Sequence, residues 1–139
     1  MKCFVWVSLI LFPALSFAET YTLIPESYCA SSGEKLEFTC KQESAFSGAE
    51  LTIYKKDERW YGQETLKTLT EPKKNVFPLS LTKQNASVMV FDYPVLYSGI
   101  ATIVLIKKTG HYYFSEISYS ESLGEQNSTV EGGRFIVDK

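Results

Sequence analysis

Few side chains in this sequence could carry a proton or hold a reacting group. Asp92 and Glu116 are the main candidates, each set in an otherwise apolar run: Val88-Met89-Val90-Phe91 before Asp92, and Tyr112-Tyr113-Phe114 before Glu116. A carboxyl group turned into an apolar interior has a raised pKa, and two such groups facing each other could do acid–base work of the glycosidase kind. A strand whose pattern simply turns polar at its end accounts for both residues as well. His111 follows Thr109-Gly110 and reads as a solvated turn residue. No serine stands in a G-x-S-x-G context, no Ser-His-Asp order can be assembled, and neither metal-ligand spacing nor a glycine-rich phosphate loop occurs. The expectation is therefore no enzyme, no cofactor and no metal site.

Aromatic residues are the more promising chemistry. Tyrosine and tryptophan offer large contact areas with a polar tip, which suits both binding sites and β-sheet cores. Tyr93, Tyr97, Tyr112, Tyr113 and Phe114 form the candidate binding surface; packing of the same rings in a core is the competing reading.

The element that must position most of them is a hairpin. Ile100 to Ile106 is rich in β-branched residues, Thr109-Gly110 supplies a turn, and His111 to Tyr119 is an aromatic run. A two-residue turn at Thr109-Gly110 would pair Lys108 with His111, Ile106 with Tyr113 and Val104 with Ser115. One face then carries Val104, Ile106, Tyr113 and Ile117, and the other Ile103, Leu105, Tyr112 and Phe114. Apolar residues on both faces predict strands covered on both sides, the alternative being one face exposed for binding.

The N-terminus has the layout of an export signal. Lys2 is basic, Cys3 to Leu15 is apolar, and Ser16-Phe17-Ala18 fits the small-x-small cleavage rule. Residues 1–18 are expected to be removed, leaving residues 19–139 as one domain. The apolar run is short for a membrane span and no later stretch resembles one, so no stable membrane insertion is expected. Of three cysteines Cys3 leaves with the signal, and the remaining pair, Cys29 and Cys40, reads as a disulfide in a periplasmic or secreted protein. Without Lys2 there are 13 basic against 16 acidic residues, a net charge near −3 that argues against nucleic acid as a partner. Two sequons, at Asn85 and Asn127, matter only if the host glycosylates exported proteins.

The rest of the chain alternates in short stretches. Tyr21 to Ile24 is a strand stopped by Pro25. Glu34 to Lys41 alternates Leu36, Phe38 and Cys40 against polar residues and predicts a half-buried strand. Glu50 to Lys56 places Leu51 and Ile53 on one face. Asp57 to Glu71 reads as a turn plus a strand, and Pro72 to Asn75 as a turn. Val76 to Leu81 contains Pro78 and predicts an edge strand. Ser87 to Tyr93 is ended by Pro94. Ser120 to Ser128 reads as a polar loop, Glu131 to Gly133 as a turn, and Phe135 to Val137 as a last strand. Seven to eight short strands without a long helix give an all-β, antiparallel domain, either a small barrel, which is preferred, or a sandwich. Function is expected to be binding, of a protein or a small apolar ligand. The alternatives are inhibition of a secreted or cell-wall enzyme through the segment Tyr93 to Gly99, and hydrolysis through Asp92 or Glu116.

Overall fold

The computed structural model describes residues 19–32, 38–41, 49–67, 71–95, 98–120 and 125–138. Residues 1–18, expected to be an export signal, and Leu36 and Tyr97 lie outside the described residues. Nine strands are present: β1 (Thr20–Ser32), β2 (Thr39–Lys41), β3 (Ala49–Lys56), β4 (Arg59–Leu66), β5 (Lys73–Gln84), β6 (Val88–Val95), β7 (Gly99–Ile106), β8 (His111–Ser120) and β9 (Glu125–Asp138). Strands β3 to β9 pair antiparallel in chain order, and β9 pairs back onto β1 from Thr20↔Asp138 to Ser32↔Asn127. β1 meets β3 along Thr20–Leu23, so β1 and β3 to β9 close into an eight-stranded barrel. β2 is an extra strand laid on β1 at Tyr28–Ala30, where Cys29 faces Cys40 and the disulfide joins them.

Side-chain alternation sorts each wall strand into an inside and an outside. On β6 and β7, Met89, Phe91, Ala101, Ile103 and Leu105 are buried to 1 % exposure or less. Their neighbours Val90, Asp92, Thr102 and Val104 take the other face. Burying such side chains stabilises the barrel by roughly 1.5–3 kcal/mol for each large one. One end of the interior is filled by an aromatic cluster. Tyr21 lies 5.6 Å from Phe135 and 6.2 Å from Trp60, and Trp60 packs edge-on against Phe91 at 5.1 Å.

The β7–β8 hairpin keeps the expected faces but not the expected pairs. Ile106 pairs with His111 and Val104 with Tyr113, so the loop is Lys107 to Gly110. The amides of Thr109 and Gly110 both donate to the Ile106 carbonyl, and Gly110 has φ +69°. The register moves by two residues relative to the sequence expectation, and a shift of two preserves inside and outside. The expectation of two covered faces is corrected: Tyr113 and Ile117 are each 55 % exposed, because a closed barrel covers only one side of its wall.

Other boundaries also move. β1 runs on through Pro25 to Ser32, with a bulge between Pro25 and Ser27. β5 begins at Lys73, where a turn was expected, and β6 continues through Pro94. β9 absorbs both the expected loop end at Glu125–Ser128 and the expected turn at Glu131–Gly133. Only Thr39–Lys41 of the expected strand at Glu34–Lys41 is a described strand, and Phe38 is 47 % exposed rather than buried. Asp57 and Glu58 both have positive φ and close β3 to β4 in a two-residue turn.

Three strand prolines share a position. Pro25 falls between the stretch of β1 that pairs with β3 and the stretch that pairs with β2. Pro78 and Pro94 flank a gap in the wall: the β5–β6 ladder runs only from Ser80 to Gln84, opposite Met89 to Asp92. A proline has no N–H to give a ladder, so it costs little where one side of the strand is unpaired. β5 is thus interior by strand order, yet has an open edge at Pro78.

Gly62 permits a close contact. A Cβ there would lie 2.4 Å from the Phe77 ring, its cross-strand partner on β5. Gly62→Ala should therefore lose about 1–3 kcal/mol in chemical denaturation, and Phe77→Leu in the same chain should recover part of that loss. An additive double variant would contradict the contact. Replacing Cys29 and Cys40 together by serine should cost about 3 kcal/mol by the same measurement, while the far-ultraviolet spectrum stays that of a β protein.

Candidate functional site

The end of the barrel opposite the aromatic plug is open. A cavity of about 840 Å³ enters there. Its wall is mainly apolar and aromatic, with Leu23 and Tyr112 toward the core and Phe77, Tyr93 and Phe114 along the sides. The gap between β5 and β6 opens into the same space, since Asn75, Phe77, Tyr93, Pro94 and Val95 all border it. Phe77 and Tyr93 bridge that gap with ring centroids 4.6 Å apart, so side chains close what the backbone ladder leaves open.

Three carboxylates enter this apolar space. Glu64 reaches it from β4, Glu116 from β8 and Glu131 from β9. Glu116 and Tyr93 are both cross-strand partners of Ala101, whose side chain is only a methyl group, which leaves room beside each. Burial pushes the Glu116 carboxyl above the usual carboxylate range, and the negative charge of Glu64 pushes it further. Glu131 is 8 % exposed and accepts a 2.5 Å hydrogen bond from the Tyr112 hydroxyl. Burial raises its pKa while that hydrogen bond works in the opposite direction. Tyr93 is raised chiefly by burial, then by the negative fields of Glu116, Glu64 and Glu131. Tyr112 is raised by burial and by its bond to Glu131. Among the described residues the cavity lining holds no lysine, arginine or histidine.

The residues singled out in the sequence divide between the two sides of the wall. Tyr93, Tyr112 and Phe114 converge on the cavity. Tyr113 points outward and Tyr97 lies outside the described residues. Asp92 is on the outer side, accepting a 2.7 Å hydrogen bond from the Thr102 hydroxyl, so it does not face Glu116. His111 is exposed beside its turn. The segment Tyr93 to Gly99 begins with three residues of β6, and its tyrosine ring is turned into the barrel. Glu64 and Glu131 are the site residues that sequence reasoning missed. Glu64 was legible in principle, because Trp60, Gly62, Glu64 and Leu66 alternate on one face. Glu131 precedes Gly132-Gly133, which imitates a turn.

Among the described residues no group of three or more His, Cys, Asp or Glu side chains could hold a metal ion, and no helix is long and apolar enough to cross a membrane. No protein family matches the chain, and no curated protein or solved structure matches it at a significant level.

Glu116 and Glu131 hold their protons more tightly in the folded chain than in the unfolded one. Each therefore contributes stability that is present below the ordinary carboxylate pKa of about 4 and is lost as pH rises through the raised value. The melting temperature of the native chain, relative to Glu116→Gln, should fall as pH is raised from about 4 to 7. A difference that stays flat or grows would contradict burial of this carboxyl.

Proposed function

We propose that this is an exported binding protein, not an enzyme, that takes one small, largely apolar ligand into the open mouth of its barrel. The observation that carries this reading is the cavity itself. Its volume, about 840 Å³, falls among those of small-molecule sites, and an aromatic wall with a few convergent polar groups is the usual composition of such a site. At the opposite end the interior is packed with rings, and the hollow of about 950 Å³ beside Trp60 is lined largely by charged and polar residues of the β3–β4 turn, Lys55, Asp57, Glu58 and Arg59, which suits an apolar ligand less well. Export is supported by the residues of the N-terminal segment and by the Cys29–Cys40 disulfide. A small ligand is favoured over a protein partner because three of the five candidate aromatics turn inward, where a folded partner does not reach.

The test is binding of a neutral fluorescent probe, N-phenyl-1-naphthylamine, to residues 19–139. Saturable binding at one site per chain is expected. Asn75→Trp, at the rim of the cavity, should weaken it at least tenfold without lowering the melting temperature. Absence of saturable binding, or binding indifferent to Asn75→Trp, would overturn the proposal.

A further inference from the structure

We propose that the ligand carries a single cationic nitrogen, a primary amine or quaternary ammonium, at one end of an apolar body. This rests on the cavity being a ligand site. The first ground is charge: Glu64, Glu116 and Glu131 share the cavity with no cationic side chain among its lining residues. The exposed ion pairs Lys55–Glu58 and Arg134–Glu26 occur elsewhere, so among the described residues carboxylates are paired with cations where water already screens them, and these three in the apolar mouth are not. Buried carboxylates without a countercharge are costly, and a cation entering among them relieves that cost.

The second ground is the wall. Phe77 and Tyr93 lie side by side across the gap, and Phe114 lines the same cavity. Aromatic faces attract ammonium groups through their quadrupole, most strongly when water is excluded. The depth of the cavity toward Leu23 and Tyr112 offers the apolar body a place, and the stretch of wall where Tyr93 and Glu116 flank Ala101 marks where the nitrogen would sit. An anionic ligand would meet three like charges, and a neutral one would leave them uncompensated.

Binding of the cation should favour the ionised carboxylates and so release protons. The titratable groups around the site are Glu26 and Tyr28 from β1, Glu64 from β4, Tyr93 from β6, Tyr112 and Glu116 from β8, and Glu131 from β9. Tyr93 and Tyr112 stay protonated, since both are raised above their ordinary value. Glu26 is engaged by Arg134. The pH dependence therefore belongs to Glu116 and Glu131, and affinity for a cation should rise as pH rises through their raised range.

Three ligands of equal chain length separate the possibilities: decyltrimethylammonium, decanol and decanoate, each below its micelle concentration, titrated into residues 19–139 by calorimetry. Decyltrimethylammonium should bind at least tenfold tighter than decanol at pH 7.5, decanoate should be weakest, and the cation's advantage should shrink as pH is lowered. In Glu64→Gln/Glu116→Gln the ratio of cation to alcohol affinity should approach one. The single variant Glu64→Gln, at a half-buried position, should lower the ratio where the double variant does not fold. Equal binding of all three ligands, or an unchanged ratio in the variants, overturns the cationic preference and leaves the cavity reading standing. Binding of none overturns both.

Discussion

The long antiparallel ladder between β1 and β9 joins the two ends of the described chain, and the rest of the architecture depends on it. Without it the described strands, in the order β2, β1, then β3 to β9, would form an open sheet with a free edge at each side. With it the sheet has a lumen, and alternate side chains become interior or exterior along every strand. The closure needs particular residues. Pro25 and Gly133 face each other beside the bulge in β1, and a Cβ on Gly133 would lie 2.1 Å from the Ile24 carbonyl and 2.9 Å from the Tyr112 ring. The glycine lets β1 and the Tyr112 ring approach together, and the same ring then reaches Glu131. Barrel closure and the placement of a cavity carboxylate are therefore one local arrangement.

The lumen is used unevenly. Toward one end, Trp60, Phe91, Tyr21 and Phe135 interlock and fill the interior. Toward the other, the residues facing in are fewer, smaller or charged, and the wall between β5 and β6 is unladdered next to Pro78 and Pro94. A chain selected only for stability would fill that end with aliphatic side chains, because isolated carboxyl groups in an apolar space destabilise the fold. Three glutamates in the mouth of a small barrel are a standing cost, which the proposed cationic ligand would offset. The disulfide acts apart from this. It fastens the short, exposed β2 to β1 and lies outside the eight-strand wall.

Much of the fold was legible because β-structure writes a period of two into the chain. Leu51 and Ile53, Met89 and Phe91, and the two faces of the β7–β8 hairpin all follow from alternation. The hairpin's faces survived a shift of two residues in its register, since alternation fixes which side a residue takes and not which partner it meets. The aromatics Tyr93, Tyr112 and Phe114 were legible as candidates for the same reason that they were ambiguous: rings that line a cavity and rings that fill a core have the same neighbours in sequence. Asp92 and Glu116 each stand beside inward-facing residues, and a difference of one step in alternation sends the first outward and the second inward.

The sequence by itself determined a strand-built chain, a pair of cysteines fit to be joined, and which residues share a side of each strand, because these depend on neighbours two positions away. Of the strand prolines it marked only Pro78 as an unpaired edge, while Pro25 and Pro94 read as strand ends that the structure runs through. Only the tertiary structure decided that the sheet closes, that Gly132 and Gly133 lie within a strand, and that Glu64, Glu116 and Glu131 come from three separate strands to one cavity. Those outcomes depend on contacts between residues tens of positions apart, where the energy of closing the barrel outweighs the local preference of glycine for a turn and of glutamate for water.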